Sequence, residues 1–130
     1  MSELDLEALA APIEALRKDV KAAYTRLDAK WEAIAERLRK LPIPCTVSYK
    51  ISENDNCDQS YRLDFRKHAG KKRICTGIYY FNPNTGDEEV DVTPYEEWSG
   101  EQRVELLRHV PALFEEAAKA VKEFIQKTQL

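Results

Sequence analysis

The sequence has little of the material from which catalytic and metal sites are usually built. It contains two histidines, four glycines and three cysteines in 130 residues. It has no GxSxG motif, no glycine-rich phosphate loop and no HExxH motif, each of which holds reactive groups at a fixed spacing. We therefore predict no catalytic residue, no metal site and no cofactor, and we expect a protein that is not an enzyme.

Long hydrophobic runs and targeting signals are also missing. No stretch of eighteen apolar residues occurs, whereas a membrane-spanning helix needs about that many. The acidic residues among the first twenty positions are unlike a signal or transit peptide. Cys45, Cys57 and Cys75 are odd in number and widely spaced, whereas a secreted disulfide framework uses an even set. We expect a cytoplasmic protein that does not contact a membrane.

The size and composition predict one domain. A chain of 130 residues is long enough for one domain and short for two. Its 43% hydrophobic and 33% charged residues are typical of a globular protein. Within a single α+β domain, 1–130, we expect a helical part at 1–41, a β-meander with an acidic loop at 42–98, and a second helical part at 99–130.

The strongest pattern is an apolar stripe in the first helical part. Its members follow one another in steps of three or four residues: Leu9, Ile13, Leu16, Val20, Tyr24, Leu27, Trp31, Ile34, Leu38 and Leu41. This spacing predicts a long amphipathic helix of about 55 Å. Pro42 and Pro44 should end it, because proline has no backbone N–H to donate. Pro12 predicts a helix start or a kink, so the residues before it form either a separate short helix or a bent lead-in.

The length of this stripe predicts assembly. A small sheet and one further helix cannot cover all of it, and large uncovered apolar surfaces usually find a partner. We predict a homodimer in which the long helices lie side by side, as a helical hairpin or an intermolecular coiled coil. The candidate interface residues are Val20, Leu27, Trp31, Ile34 and Leu38. The alternative is that the stripe packs only on the sheet and C-terminal helix of its own chain.

Alternating apolar and polar residues after the helix predict a three-stranded antiparallel meander. The strands are expected near 43–51, 61–66 and 73–81. The acidic segment that follows, Glu88 to Glu97, is either a short fourth strand at the edge or an extended cover. Ser99 and Gln102 form a capping-box pattern that begins the C-terminal helix, and Pro111 should kink or restart it. We expect the helices to pack on one face of the sheet and on each other.

One hairpin of this meander is rich in basic residues. A four-residue loop at 68–71 would place Lys67 opposite Lys72 and give one uniformly apolar face, which supports that register. The same register places Arg66 opposite Arg73, and like charges in that position destabilise a sheet unless they are neutralised. The candidate anion-binding residues are Arg62, Arg66, Lys67, Lys71, Lys72 and Arg73.

Two sources of neutralisation fit this hairpin. An external polyanion such as nucleic acid could lie on it, with Tyr79 and Phe81 as stacking groups. Alternatively, the segment 82–98, which has six acidic residues and no basic one, could fold back onto it. We favour internal pairing, because charge runs are commonly paired or solvated within their own chain.

Three functional hypotheses follow from these patterns. The first is a non-enzymatic interaction or assembly protein that dimerises through its long helix, with a further protein partner as an option. The second is a nucleic-acid or polyanion-binding module that uses the 62–73 hairpin, which the acidic segment counts against. The third is a small enzyme whose site has no recognisable motif.

Overall fold

Two N-terminal helices, four antiparallel strands and two C-terminal helices follow one another in the computed structural model, which describes residues 4–56 and 58–129. The helices are α1 (Leu6–Glu14), α2 (Arg17–Lys40), α3 (Gly100–Leu106) and α4 (Val110–Lys127). The α+β class predicted from the sequence is confirmed. No helix in the described part of the chain is long and apolar enough to cross a membrane.

The sheet has four strands rather than three, in the order of a meander. The strands are β1 (Val47–Glu53), β2 (Gln59–His68), β3 (Lys71–Asn82) and β4 (Gly86–Pro94), and each is paired with the next. The acidic segment therefore contributes an edge strand of nine residues. Of the two alternatives predicted for this segment, an edge strand or an extended cover, the strand is the one observed. β4 pairs with backbone groups of β3 that would otherwise lack hydrogen-bond partners.

The β2–β3 hairpin has the register that the alternation predicts. Lys67 lies opposite Lys72, and Arg66 lies opposite Arg73. The loop, however, is shorter than predicted, since His68 and Lys71 are also paired. Ala69 and Gly70 make the turn with φ angles of 52° and 88°. Two central residues with positive φ match the right-handed twist of the flanking strands, which permits a two-residue turn.

The predicted long N-terminal helix is divided into α1 and α2. The division lies at Ala15 and Leu16, not at Pro12, which is inside α1. Pro12 has no backbone N–H, so the turn before it lacks one hydrogen bond. Leu16 then donates its N–H to the carbonyl of Ile13 at 3.0 Å, which is a 3₁₀ contact rather than an α-helical one.

The C-terminal helical part is likewise divided rather than kinked. Ser99 and Gln102 form the predicted capping box: each side chain accepts from the other's backbone N–H, at 3.2 and 3.1 Å. A 3₁₀ turn at Leu107–His109 separates α3 from α4. Pro111 lies in the first turn of α4, where its missing N–H costs nothing. The helix thus restarts near Pro111, one of the two outcomes expected there.

The main core lies between one face of the sheet and α2, α3 and α4. Its fully covered side chains come from every layer: Trp31 and Leu38 from α2, Leu63 and Phe65 from β2, Ile74 from β3 and Leu113 from α4. We call this side of the sheet the helical face. The opposite side carries the alternate residues of β2 and β3, and none of the α-helices in the described part of the chain contributes to the core there.

Trp31 connects α2 to the C-terminal part of the chain. Its indole packs edge-to-face on Trp98 with 4.9 Å between ring centroids. Its Nε1 donates to the backbone carbonyl of Arg103 in α3 at 2.9 Å. Arg103 also forms an ion pair with Asp28 of α2. These contacts hold the second half of α2 on the domain.

Candidate functional site

The side of the sheet without helices is closed by ion pairs, and we call it the charged face. Three arginines of the hairpin each meet an acidic residue from β4 or the turn after it. The pairs are Arg62 with Asp87 at 2.6 Å, Arg66 with Glu89, and Arg73 with Glu96. The predicted internal neutralisation is confirmed for these three arginines. Arg66 and Arg73 tolerate their cross-strand position because each has its own carboxylate.

The three candidate lysines of the hairpin have different surroundings. Lys72 donates to the carbonyl of Ile43 at 2.5 Å and lies over the ring of Phe65, so it supports the fold. Lys67 and Lys71 are exposed near the hairpin turn. Of the six candidate anion-binding residues, these two lysines are therefore the ones that remain open to solvent without a charge partner in the described part of the chain.

A buried carboxyl group lies beneath the arginines of the charged face. Asp64 is completely covered and accepts a hydrogen bond from the hydroxyl of Tyr79. Burial raises the pKa of Asp64 above its usual range, although Ser48, Tyr79 and the nearby arginines act in the opposite direction. Burial and the contact with Asp64 also raise the pKa of Tyr79. Asp64 and Tyr79 therefore form a buried polar pair.

Gly77 makes room for the ring of Tyr79. A Cβ atom at position 77 would lie only 2.6 Å from Cε2 of Tyr79, so a larger residue would displace the ring. The guanidinium of Arg62 lies over this ring at 4.6 Å from its centroid, a cation–π arrangement. Gly77 and Arg62 therefore both lie against the ring whose hydroxyl donates to Asp64.

The cysteines of the described residues show no sign of a reactive thiol. Cys75 is buried on the charged face and Cys45 is exposed, and both are free. Burial raises the pKa of Cys75 to about 12, which keeps it in the unreactive thiol form. Cys57 lies outside the described residues. Cys75 therefore contributes packing beside Asp64.

The described ranges, 4–56 and 58–129, contain no group of three potential metal ligands that lie close enough together to share an ion. The alternating Asn54, Asn56 and Asp58 resemble part of a calcium loop in sequence. Asn54 instead closes this loop, since its Oδ1 accepts from the backbone N–H groups of Asp58 and Gln59, both at 3.1 Å.

A run of exposed apolar side chains lies at the N-terminal end of the described residues. We call residues 4–24 the arm. The large apolar side chains here are between 45% and 82% exposed: Leu4, Leu6, Leu9, Ile13, Leu16, Val20 and Tyr24. No residue of α1 is buried. Ile13, Val20 and Tyr24 line an open groove of about 530 Å³ together with Glu14, Arg17 and Lys21.

The five predicted interface residues fall into three environments. Trp31 and Leu38 are fully covered within the core of their own chain, so we withdraw them from the candidate surface. Leu27 and Ile34 are half-buried, and Val20 is exposed. The exposed part of the stripe begins near Tyr24, whose hydroxyl approaches Gly100 of α3, and continues toward the N-terminus.

A second open groove, of about 780 Å³, lies beside α3. Ile51 and Tyr61 form its sheet side, and Val104, Leu106 and His109 are among the residues on its helical side. The groove does not reach Asp64 or Cys75, which lie on the charged face. It is a shallow apolar surface without a cluster of buried carboxylates.

One feature of the arm was not predicted from the sequence: its two halves carry net charges of opposite sign. The formal net charge of residues 1–41 is zero, because eight acidic and eight basic residues cancel. Within the arm the signs are separated: residues 4–14 have three acidic and no basic residues, and residues 15–24 have three basic and one acidic. Summing over a shorter window would have revealed this polarity.

No family model matches the sequence, and no curated protein or solved structure is significantly similar to it. The surfaces and charges of the chain itself are therefore the basis for a functional proposal.

Proposed function

We propose that this chain is a non-enzymatic assembly protein that forms a homodimer through its arm. The observation that carries the proposal is the continuous exposed stripe from Leu6 to Tyr24. It is the N-terminal continuation of the stripe that the chain buries in its own core from Trp31 onward. Fully burying one such side chain contributes roughly 1.5–3 kcal/mol, so a second copy of the arm would gain much from covering it.

Two further observations support assembly over the other hypotheses. The hairpin arginines are neutralised by Asp87, Glu89 and Glu96, which counts against polyanion binding on the charged face. Two of the buried titratable groups, Asp64 and Cys75, are fully covered, so a substrate would have no access to them. A partner of the arm therefore accounts for a surface that nothing else in the described chain covers.

The experiment compares Val20→Asp with Ala22→Asp. Both residues are exposed on α2 and both changes add one negative charge, but Ala22 lies on the opposite side of the helix from the stripe. A half-exposed valine that becomes buried contributes roughly 1 kcal/mol, and a twofold interface counts it twice. The dissociation constant of Val20→Asp should therefore rise at least about thirty-fold.

Sedimentation equilibrium over a range of concentrations provides the measurement. We expect dimers for the unaltered chain and for Ala22→Asp, and monomers for Val20→Asp. Val20 is a better test position than Leu27 or Ile34, because those half-buried residues pack within the chain and their substitution would also disturb folding. An unaltered chain that stays monomeric at the highest concentration refutes the proposal.

A further inference from the structure

The two halves of the arm carry opposite net charge. Residues 4–14 have a formal charge of −3, and residues 15–24 have one of +2. Glu14, Arg17 and Lys21 line the same groove as the apolar stripe. The charges of these three residues therefore border the surface on which a second helix would lie.

The spacing of the stripe permits two helices to pair in either direction. In a parallel pair each residue meets its own copy. In an antiparallel pair centred near Ala15, Leu6 meets Tyr24, Leu9 meets Val20 and Ile13 meets Leu16 of the second copy. Either arrangement covers the apolar side chains, so the stripe alone does not determine whether the two helices pair parallel or antiparallel.

The charges distinguish the two directions. A helix with side chains is about 10 Å across, so the charges of two paired helices lie within roughly one Debye length at moderate salt. A parallel pair would set the acidic half against the acidic half and the basic half against the basic half. An antiparallel pair sets each acidic half against a basic half, which is the favourable arrangement.

We propose that two copies of this chain pair antiparallel through the arm, with the twofold axis near Ala15. This inference rests on the proposed function, because it specifies the geometry of the same dimer. The axis then falls on the division between α1 and α2. The arrangement is isologous, so it closes at two copies and leaves no open end for further addition.

The test reverses the polarity of the arm without changing its total charge. The swapped variant carries Glu7→Lys, Glu14→Lys, Arg17→Glu and Lys21→Glu. It keeps an opposite-charge pair where Glu14 and Arg17 meet at 2.6 Å. All four side chains are exposed, so the changes leave the core intact. Circular dichroism and the fluorescence of Trp31 and Trp98 check this.

The swapped variant is co-expressed with the unaltered chain, one of them bearing a C-terminal affinity tag. Native mass spectrometry at low salt then counts the species. Antiparallel pairing predicts two kinds of homodimer and a strong depletion of the heterodimer. A matched control carries glutamine at the same four positions (Glu7→Gln, Glu14→Gln, Arg17→Gln and Lys21→Gln), and it should mix freely with both chains because its polarity is removed.

Three other results would overturn the inference, and they differ from one another. Preferential heterodimers would indicate parallel pairing, since only that direction sets opposite halves together in the mixed pair. Heterodimers in the statistical proportion would show that these charges do not set the direction. Monomers in every sample would refute the proposed function itself, and the antiparallel geometry with it.

Discussion

The hydroxyl of Tyr79 donates a hydrogen bond to the fully buried carboxyl group of Asp64. The two residues lie on adjacent strands, on the charged face of the sheet. A buried carboxyl group without hydrogen-bond donors is strongly unfavourable. The ring of Tyr79, the cavity left by Gly77 and the arginines above them therefore act together to make this carboxyl group tolerable.

Removing the hydroxyl of Tyr79 should destabilise the fold. Tyr79→Phe leaves Asp64 buried without that donor, a loss of about 1–3 kcal/mol in the free energy of unfolding. Tyr80→Phe is the matched control, because Tyr80 is the next residue of β3 and is exposed. Urea denaturation of both variants measures the difference. Equal stability of the two variants would show that the Tyr79–Asp64 bond contributes nothing to folding.

The stability contributed by Asp64 should increase as the pH falls. Since burial raises its pKa, the folded chain binds this proton more readily than the unfolded chain. Asp64 therefore favours the folded state below its unfolded pKa of about 3.9, and this contribution is lost as the pH rises through the raised folded value. One pKa unit of difference corresponds to about 1.4 kcal/mol.

Asp64→Asn isolates this effect, because it keeps the shape of the side chain and removes its titration. Denaturant unfolding of both proteins at a series of pH values, from about 4 to neutral, gives the comparison. The stability of the unaltered chain relative to Asp64→Asn should fall as the pH rises from about 4 to neutral. A relative change in the other direction would mean that the arginines lower the pKa of Asp64 overall.

Removing the negative charges that cover the hairpin should create polyanion binding. Asp87→Asn, Glu89→Gln and Glu96→Gln together free three arginines on one side of the sheet. We expect this triple variant to bind a heparin column at low salt and to elute as salt is raised. The unaltered chain should pass through, since its hairpin arginines are already paired.

A second triple variant separates pairing from net charge. Glu88→Gln, Asp91→Asn and Glu97→Gln remove the same three charges from exposed acidic residues that form no ion pair within the described ranges. This control should not bind heparin. If both triple variants bind equally, the total charge rather than the uncovering of the arginines is responsible. Tight binding by the unaltered chain would restore the hairpin as a candidate polyanion site.

Short-range patterns in the sequence were sufficient for much of the fold. The alternation around Phe65 and Ile74 determined the register of the β2–β3 hairpin, because a slip of one residue would turn its apolar side chains outward. That register placed Arg66 opposite Arg73 and so required a neutralising partner. The acidic segment was the nearest source, and β4 and the turn after it supply the carboxylates of Glu89 and Glu96. The capping box at Ser99 was equally local, since its two hydrogen bonds join residues three apart.

Other features depended on contacts that periodicity does not describe. The two-residue turn at Ala69 and Gly70 required positive φ at a non-glycine residue, which local sequence preference disfavours. The buried pair of Asp64 and Tyr79 was not predicted either. Asp64 is one polar residue among several on its strand, and its burial depends on neighbours such as Tyr79, which contacts it only in the folded chain.

The apolar stripe shows most clearly what the sequence alone does not determine. Its spacing established which side of the helix is apolar, and that side is the same at Val20 as at Trp31. Tertiary structure decided that Trp31 is completely covered while Val20 is left half-exposed. The helical period determines the direction of a side chain, whereas burial depends on which neighbours contact it. At Tyr24 the neighbouring element is the start of α3, where the Tyr24 hydroxyl lies beside Gly100.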